Sequence, residues 1–146
     1  MKNFGKTIKI FLIDGEPNGR MSCELSNWTC KAFKIPRKKI KDSSDRPELE
    51  NTGVYILLGK SDKSDKKDLA YIGEAEGIYK RLQQHLSSKD FWNEAIVFVS
   101  KDENLNKAHI KYLESRLYEI AINVNRYELE NTNIPPRPNI SEPDKA

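Results

Sequence analysis

Cysteine is almost missing from this chain of 146 residues: there are two, Cys23 and Cys30, with no CxxC spacing and no paired histidines beside them. That excludes a disulfide framework and gives poor zinc spacing, leaving reduced, partly buried thiols as the expectation. Histidine is as scarce, with only His85 and His109. Long hydrophobic runs are lacking too. The apolar run 10–13 stops at Asp14, too short for a signal-peptide core or a membrane span. A soluble cytoplasmic protein with no membrane partner is therefore expected. The excess of one charge sign is small, Lys+Arg 25 against Asp+Glu 22 for a net +3, so total charge selects no partner class. The length suits one compact domain with one core and a small appendage.

What is present is unevenly placed. Lys31, Lys34, Arg37, Lys38, Lys39 and Lys41 form a run without a single acid. Such a run is either a solvated face or a surface that contacts nucleic-acid phosphates, where Lys and Arg gain affinity by releasing counterions. Residues 60–68 are almost all Lys, Ser and Asp and must be exposed. From residue 135 onward prolines and charges dominate, as in a loosely held tail.

Periodicity supplies the elements. Residues 7–13 are rich in β-branched side chains and stop at Asp14-Gly15, as a strand does. Residues 14–20 make a turn, and 21–35 read as short strands around Trp28. Pro36 can open a short basic helix over 37–41, and 46–52 is a polar link. Gly53-Val-Tyr-Ile-Leu-Leu is a buried strand, and 69–73 pairs back on it as an antiparallel hairpin. Helical spacing covers 77–86, with Ile78, Leu82, His85 and Leu86 near one face. A third strand spans 95–99. The longest helical pattern is 106–124, with Ile110, Leu113, Leu117 and Ile120 in one stripe. Trp92 reads as core or edge packing.

Within this order lie Gly53-Val54-Tyr55, then Tyr71-Ile72-Gly73, then Arg81 and His85 one helical turn apart, then Leu113-Glu114. Taken singly, each has a bland reading: core aromatics, a surface arginine, a helix histidine, a glutamate in an i,i+4 network with neighbouring bases. Together they resemble the GIY-YIG nuclease superfamily over residues 51–133, with Val for Ile in the first motif and a literal second motif. A second match, Gly77-Ile78-Tyr79, follows the second motif inside the helical stretch and cannot be the hairpin's first strand.

The resemblance implies an α+β fold: a small three-stranded antiparallel sheet flanked by helices, spanning 51–134, with a β-containing N-terminal extension (1–50) and a tail (135–146). It implies a metal-dependent endonuclease acting on DNA. One divalent ion, Mg²⁺ or Mn²⁺, would sit on Glu114, and an attacking water would lose its proton with help from Tyr55 or His85. Tyr71 and Arg81 would position and neutralise the phosphate, and Asn131 or Asn133 would close the site. The chemistry suits such a set. Phosphodiester hydrolysis needs an activated water and charge stabilisation, and a magnesium held by one carboxylate keeps coordination sites for substrate. A phenol with an ordinary pKa of about 10 is a poor base at neutral pH. The extension, with its basic run, is the candidate substrate-binding segment. The alternative from another class is a module of the same fold that holds nucleic acid without cutting it.

Overall fold

The computed structural model describes residues 7–25, 30–60, 68–100, 114–115 and 127–130. Seven strands lie in one sheet: β1 (Ile8–Leu12), β2 (Met21–Leu25), β3 (Cys30–Pro36), β4 (Gly53–Gly59), β5 (Asp68–Ala75), β6 (Glu94–Ser100) and β7 (Tyr127–Leu129). The spatial order is β1-β2-β3-β6-β4-β5-β7. The first six pair antiparallel, and β7 runs parallel to β5 at the far edge. The helix α1 (Ile78–Ser88), three short 3-10 turns and two helical residues at 114–115 complete the described elements.

This corrects the expected fold class of a three-stranded sheet flanked by helices with a β-containing extension beside it. The sheet does not stop at three strands, because β3 pairs with β6 over its whole length, from Cys30↔Ser100 to Pro36↔Glu94. The pairing has a packing cause. Phe33 and Ile35 of β3 stand opposite Val97 and Ala95 of β6, and all four are buried on one face. Unpaired, β6 would present a row of free N–H and C=O groups beside an apolar face, an arrangement that sheets avoid. The hairpin of β4 and β5 forms as its alternation suggests. The link over 46–52 is not extended: Pro47–Glu50 is a 3-10 turn whose Leu49 is fully buried. Of the long helical pattern over 106–124, only Glu114 and Ser115 are described, and both are helical. Trp28 and His109 also lie outside the described residues.

The core sits between the sheet and the layer made by α1 and the 3-10 turns. It joins Phe33, Ile35, Tyr55, Leu57, Ala95, Val97 and Val99 of the sheet to Ile40, Leu49, Ile78, Leu82 and Trp92. Helix α1 has a weak start of its own: Gly77 caps it without a side-chain bond, and no acid stands in its first turn. Its buried stripe of Ile78, Leu82 and His85 therefore supplies what capping does not, as amphipathic packing does for most short helices. No helix among the described residues is long and apolar enough to cross a membrane.

The N-terminal hairpin is tied down by one buried cation. Arg20 bonds Asp14 at 2.8 Å and Asp45 at 2.9 Å, and its backbone N–H donates to Asp14 Oδ2 at 2.8 Å. These hydrogen bonds from Arg20 hold the Asp14 carboxyl well below the usual carboxylate range. A depressed carboxyl contributes stability that is complete above the unfolded pKa of about 3.9 and lost as pH falls toward the folded value. Denaturation followed against pH should show wild-type stability falling below about pH 4. Asp14→Asn should be less stable at neutral pH and lose part of that acid slope; an unchanged slope would assign the acid limb to other carboxylates.

Candidate active site

Tyr55 lies on β4 and Tyr71 on β5, two residues apart along the paired strands, since Tyr55 faces Gly73 and Leu57 faces Tyr71. Both phenols thus leave the same face of the sheet, the face that α1 covers. The motif glycines have steric reasons. A Cβ on Gly73 would meet the Tyr55 phenol oxygen at 2.5 Å, and one on Gly53 would strike the Phe98 carbonyl. The Tyr55 ring lies flat over Gly73, and a side chain there would push it out of the site.

From α1, His85 reaches down to the same spot. Tyr55 Oη and His85 Nε2 are 2.7 Å apart, in a buried bond. The three rings cluster, with Tyr55 and Tyr71 centroids 6.2 Å apart and His85 at 5.4 Å and 5.5 Å from them. Arg81, one turn before His85, is exposed, and its positive charge pulls the Tyr55 phenol down against burial. It also donates to the Glu74 carbonyl at 3.4 Å. A cleft of about 390 Å³ opens beside it, lined by Thr52, Glu76, Lys80 and Gln84 among others. Glu114 is half-buried, and its negative charge acts on the Tyr55 phenol. The structure therefore gathers Tyr55, Tyr71, Arg81 and His85, with Glu114 within electrostatic reach of Tyr55. Asn131 and Asn133 lie outside the described residues. The backbone N–H of Glu130, just before Asn131, donates to the carbonyl of Ala70, just before Tyr71.

Burial sets the protonation states. The Tyr55 phenol is pushed well above its ordinary value, first by loss of water and then by the neighbouring Tyr71, against the opposing pull of Arg81. His85 is lowered from 6.5 to about 4, first by burial and then by the charges of Lys89 and Arg81. At neutral pH both groups are uncharged. In the neutral imidazole one ring nitrogen carries the proton and the other accepts, so Tyr55 and His85 share a single hydrogen bond between Oη and Nε2. The other ring nitrogen, Nδ1, lies 3.4 Å from Ser88 Oγ.

Glu114 is the acid that would hold a single hard cation. The residue is half-buried, and its charge is felt where the phenol lies. Among the described residues no three His, Cys, Asp or Glu side chains form a closed metal cage. One carboxylate plus waters and phosphate oxygens is a coordination that magnesium accepts.

The basic run does not make one surface. Lys31 pairs with Glu48 at 2.7 Å and Glu24 at 3.6 Å, Lys34 with Glu94 at 3.7 Å, and Lys39 with Asp42 at 3.8 Å. Lys31 and Lys34 project from opposite faces of β3. Arg37 is spent on main-chain carbonyls of the α1 end. Lys38 and Lys41 are exposed and line a groove with Pro36, Leu86 and Asn93. Tyr79 of the second motif match is a helix residue whose hydroxyl donates to the Lys41 carbonyl. Sequence reasoning missed Lys89, whose ammonium stands 4.4 Å from the Tyr71 ring centroid. Its place directly after the last residue of α1, four positions past His85, was the available signal.

Comparison with known protein families, characterised proteins and solved structures gives no match.

The His85 environment is measurable directly. An NMR titration should give a His85 midpoint near 4. Lys89→Ala should move it upward, because one of the two repelling cations is gone. A wild-type midpoint near 6.5 would remove the buried, neutral imidazole.

Proposed function

We propose that the protein is a metal-dependent endonuclease that hydrolyses DNA phosphodiester bonds by water attack. The observation that carries this reading is the buried Tyr55–His85 hydrogen bond, with Arg81 and Glu114 acting on the same phenol. Two neutral proton carriers in contact, a guanidinium and one acid around an open cleft are groups that phosphoryl transfer can use.

The protonation states favour a relay over a phenolate. Forming a free phenolate at pH 7 costs about 4 kcal/mol even at an ordinary phenol pKa of about 10, and burial raises that cost. Tyr55 can still take the proton of an attacking water onto Oη if it passes its own to His85 Nε2 in the same step. The water oxygen then forms a bond to phosphorus, the ester P–O bond breaks, and the departing oxygen takes a proton from solvent. An imidazole that titrates near 4 gives its proton back readily, so the relay resets. Arg81, held by the Glu74 carbonyl, lines the cleft and stabilises negative charge on the phosphoryl oxygens. Tyr71, one strand over, fixes the phosphate by its hydroxyl. A Mg²⁺ or Mn²⁺ ion on Glu114 would supply Lewis acidity at the phosphate. The cytoplasm suits the half-buried, unbridged Cys23 thiol.

Purified protein incubated with supercoiled plasmid should nick it only when Mg²⁺ or Mn²⁺ is added. Glu114→Gln should abolish nicking while circular dichroism and melting stay those of the wild type. Salt-sensitive retention of DNA with no nicking would instead identify a binding module. Of the basic run, Lys38 and Lys41 are the residues free to meet phosphate. Replacing both with Ser should weaken binding uniformly across sequences and reduce the salt slope by about two phosphate contacts. Lys31→Ser and Lys34→Ser should leave that slope unchanged; equal effects from all four would restore the run as one surface.

A further inference from the structure

We propose that Arg37 is a positioning residue of the candidate site: it clamps the C-terminal end of α1 and thereby fixes where His85 presents Nε2 to Tyr55. Its catalytic consequence rests on the nuclease reading above, whereas the clamp itself is a matter of geometry.

Arg37 directly follows β3, and its backbone N–H donates to the Asn93 carbonyl at 2.8 Å. Asn93 in turn donates to the Leu58 carbonyl of β4 at 2.8 Å. From this anchored backbone the guanidinium reaches the end of the helix. Nη2 donates to the Leu86 carbonyl at 2.7 Å, and Nη1 to the carbonyls of Lys89 at 2.9 Å and Trp92 at 3.2 Å. These carbonyls belong to the last turn of α1 and the chain just beyond it. Helix ends leave such carbonyls without helical partners, and a cation there also meets the negative end of the helix dipole.

The guanidinium further stacks on Trp92, 4.5 Å from the ring centroid. Trp92 is almost wholly buried, and its indole N–H donates to the carbonyl of His85 at 3.3 Å. Arg37 thus holds Leu86, the residue after His85, and the indole that bonds His85. Both supports reach His85 through its main chain, so they fix where its backbone, and with it the base of the imidazole, stands relative to Tyr55.

A phosphate contact and a clamp make opposite demands on this side chain. With its N–H groups engaged by three carbonyls and its plane on an indole, Arg37 would have to release the helix to reach DNA. Lysine can replace arginine at a simple phosphate contact but cannot supply the planar fork or the stacking.

The test uses the full chain labelled with ¹⁵N at arginine and histidine. In the wild type the Arg37 Nη protons should appear as resolved, slowly exchanging signals. One averaged signal, as from a solvated guanidinium, would overturn the clamp, and this measurement needs no variant to fold. In Arg37→Lys and Arg37→Met the His85 ring ¹⁵N signals should shift, while Lys38→Ser leaves them in place. With plasmid DNA, kcat should fall about tenfold or more, in line with the sensitivity of catalysis to small misplacements, with Kd and its salt slope held and no rescue by Lys. Weakened binding, a salt slope lower by about one, rescue by Lys and unmoved His85 signals would make Arg37 a phosphate contact instead. If wild-type protein cuts no DNA, the nuclease reading fails on that result, and the Nη and His85 signals alone decide the clamp.

Discussion

Removing the Tyr55 hydroxyl from water onto His85 Nε2 is the constraint that the site depends on. A buried phenol without a partner costs free energy that a small domain does not have to spare, so the bond must form wherever Tyr55 is packed. Packing it there requires Gly73 beneath the ring and His85 on the buried stripe of α1. The same burial that forces the bond keeps both partners uncharged, since each loses water that would favour its ionised form. The contact that the proposed proton relay would use is thus also a core contact. The surrounding charges of Arg81, Lys89 and Glu114 bias it without breaking it.

The N-terminal strands do more than lengthen the sheet. Pairing of β3 with β6 covers an edge next to the strand that carries Tyr55. The buried Arg20 joins the first hairpin to the 3-10 turn at Asp45, and that layer of turns closes the core under α1 through Ile40 and Leu49. Arg37, the first residue of that layer of turns, meets the helix end that carries His85. Stability and site geometry are therefore coupled through one layer of short turns, which no regular element replaces.

Sequence made some of this plain and hid the rest for physical reasons. Alternation and β-branching marked β1, β4, β5 and β6, and the period near 3.6 marked α1, because those signals are local. The motif order singled out Tyr55, Tyr71, Arg81 and His85, and strand register and one helical turn then bring them together. The continuous sheet was not legible: which strand lies beside β6 depends on how Phe33 and Ile35 match Val97 and Ala95 across a long stretch of chain. The basic run illustrates the limit best. Six cations in a row read as one surface, yet alternation along β3 sends Lys31 and Lys34 to opposite faces, and acids distant in sequence claim them.

The chain by itself determined which chemistry was on offer: two phenols, an imidazole, a guanidinium and one acid, each tied to an element whose local period it shares. Tertiary structure alone decided their charge states and their duties, because desolvation and partner choice arise only when separate segments meet. Arg37 is the clearest case: a cation in sequence, it becomes a fastening for a helix only once Trp92 and three carbonyls are folded around it.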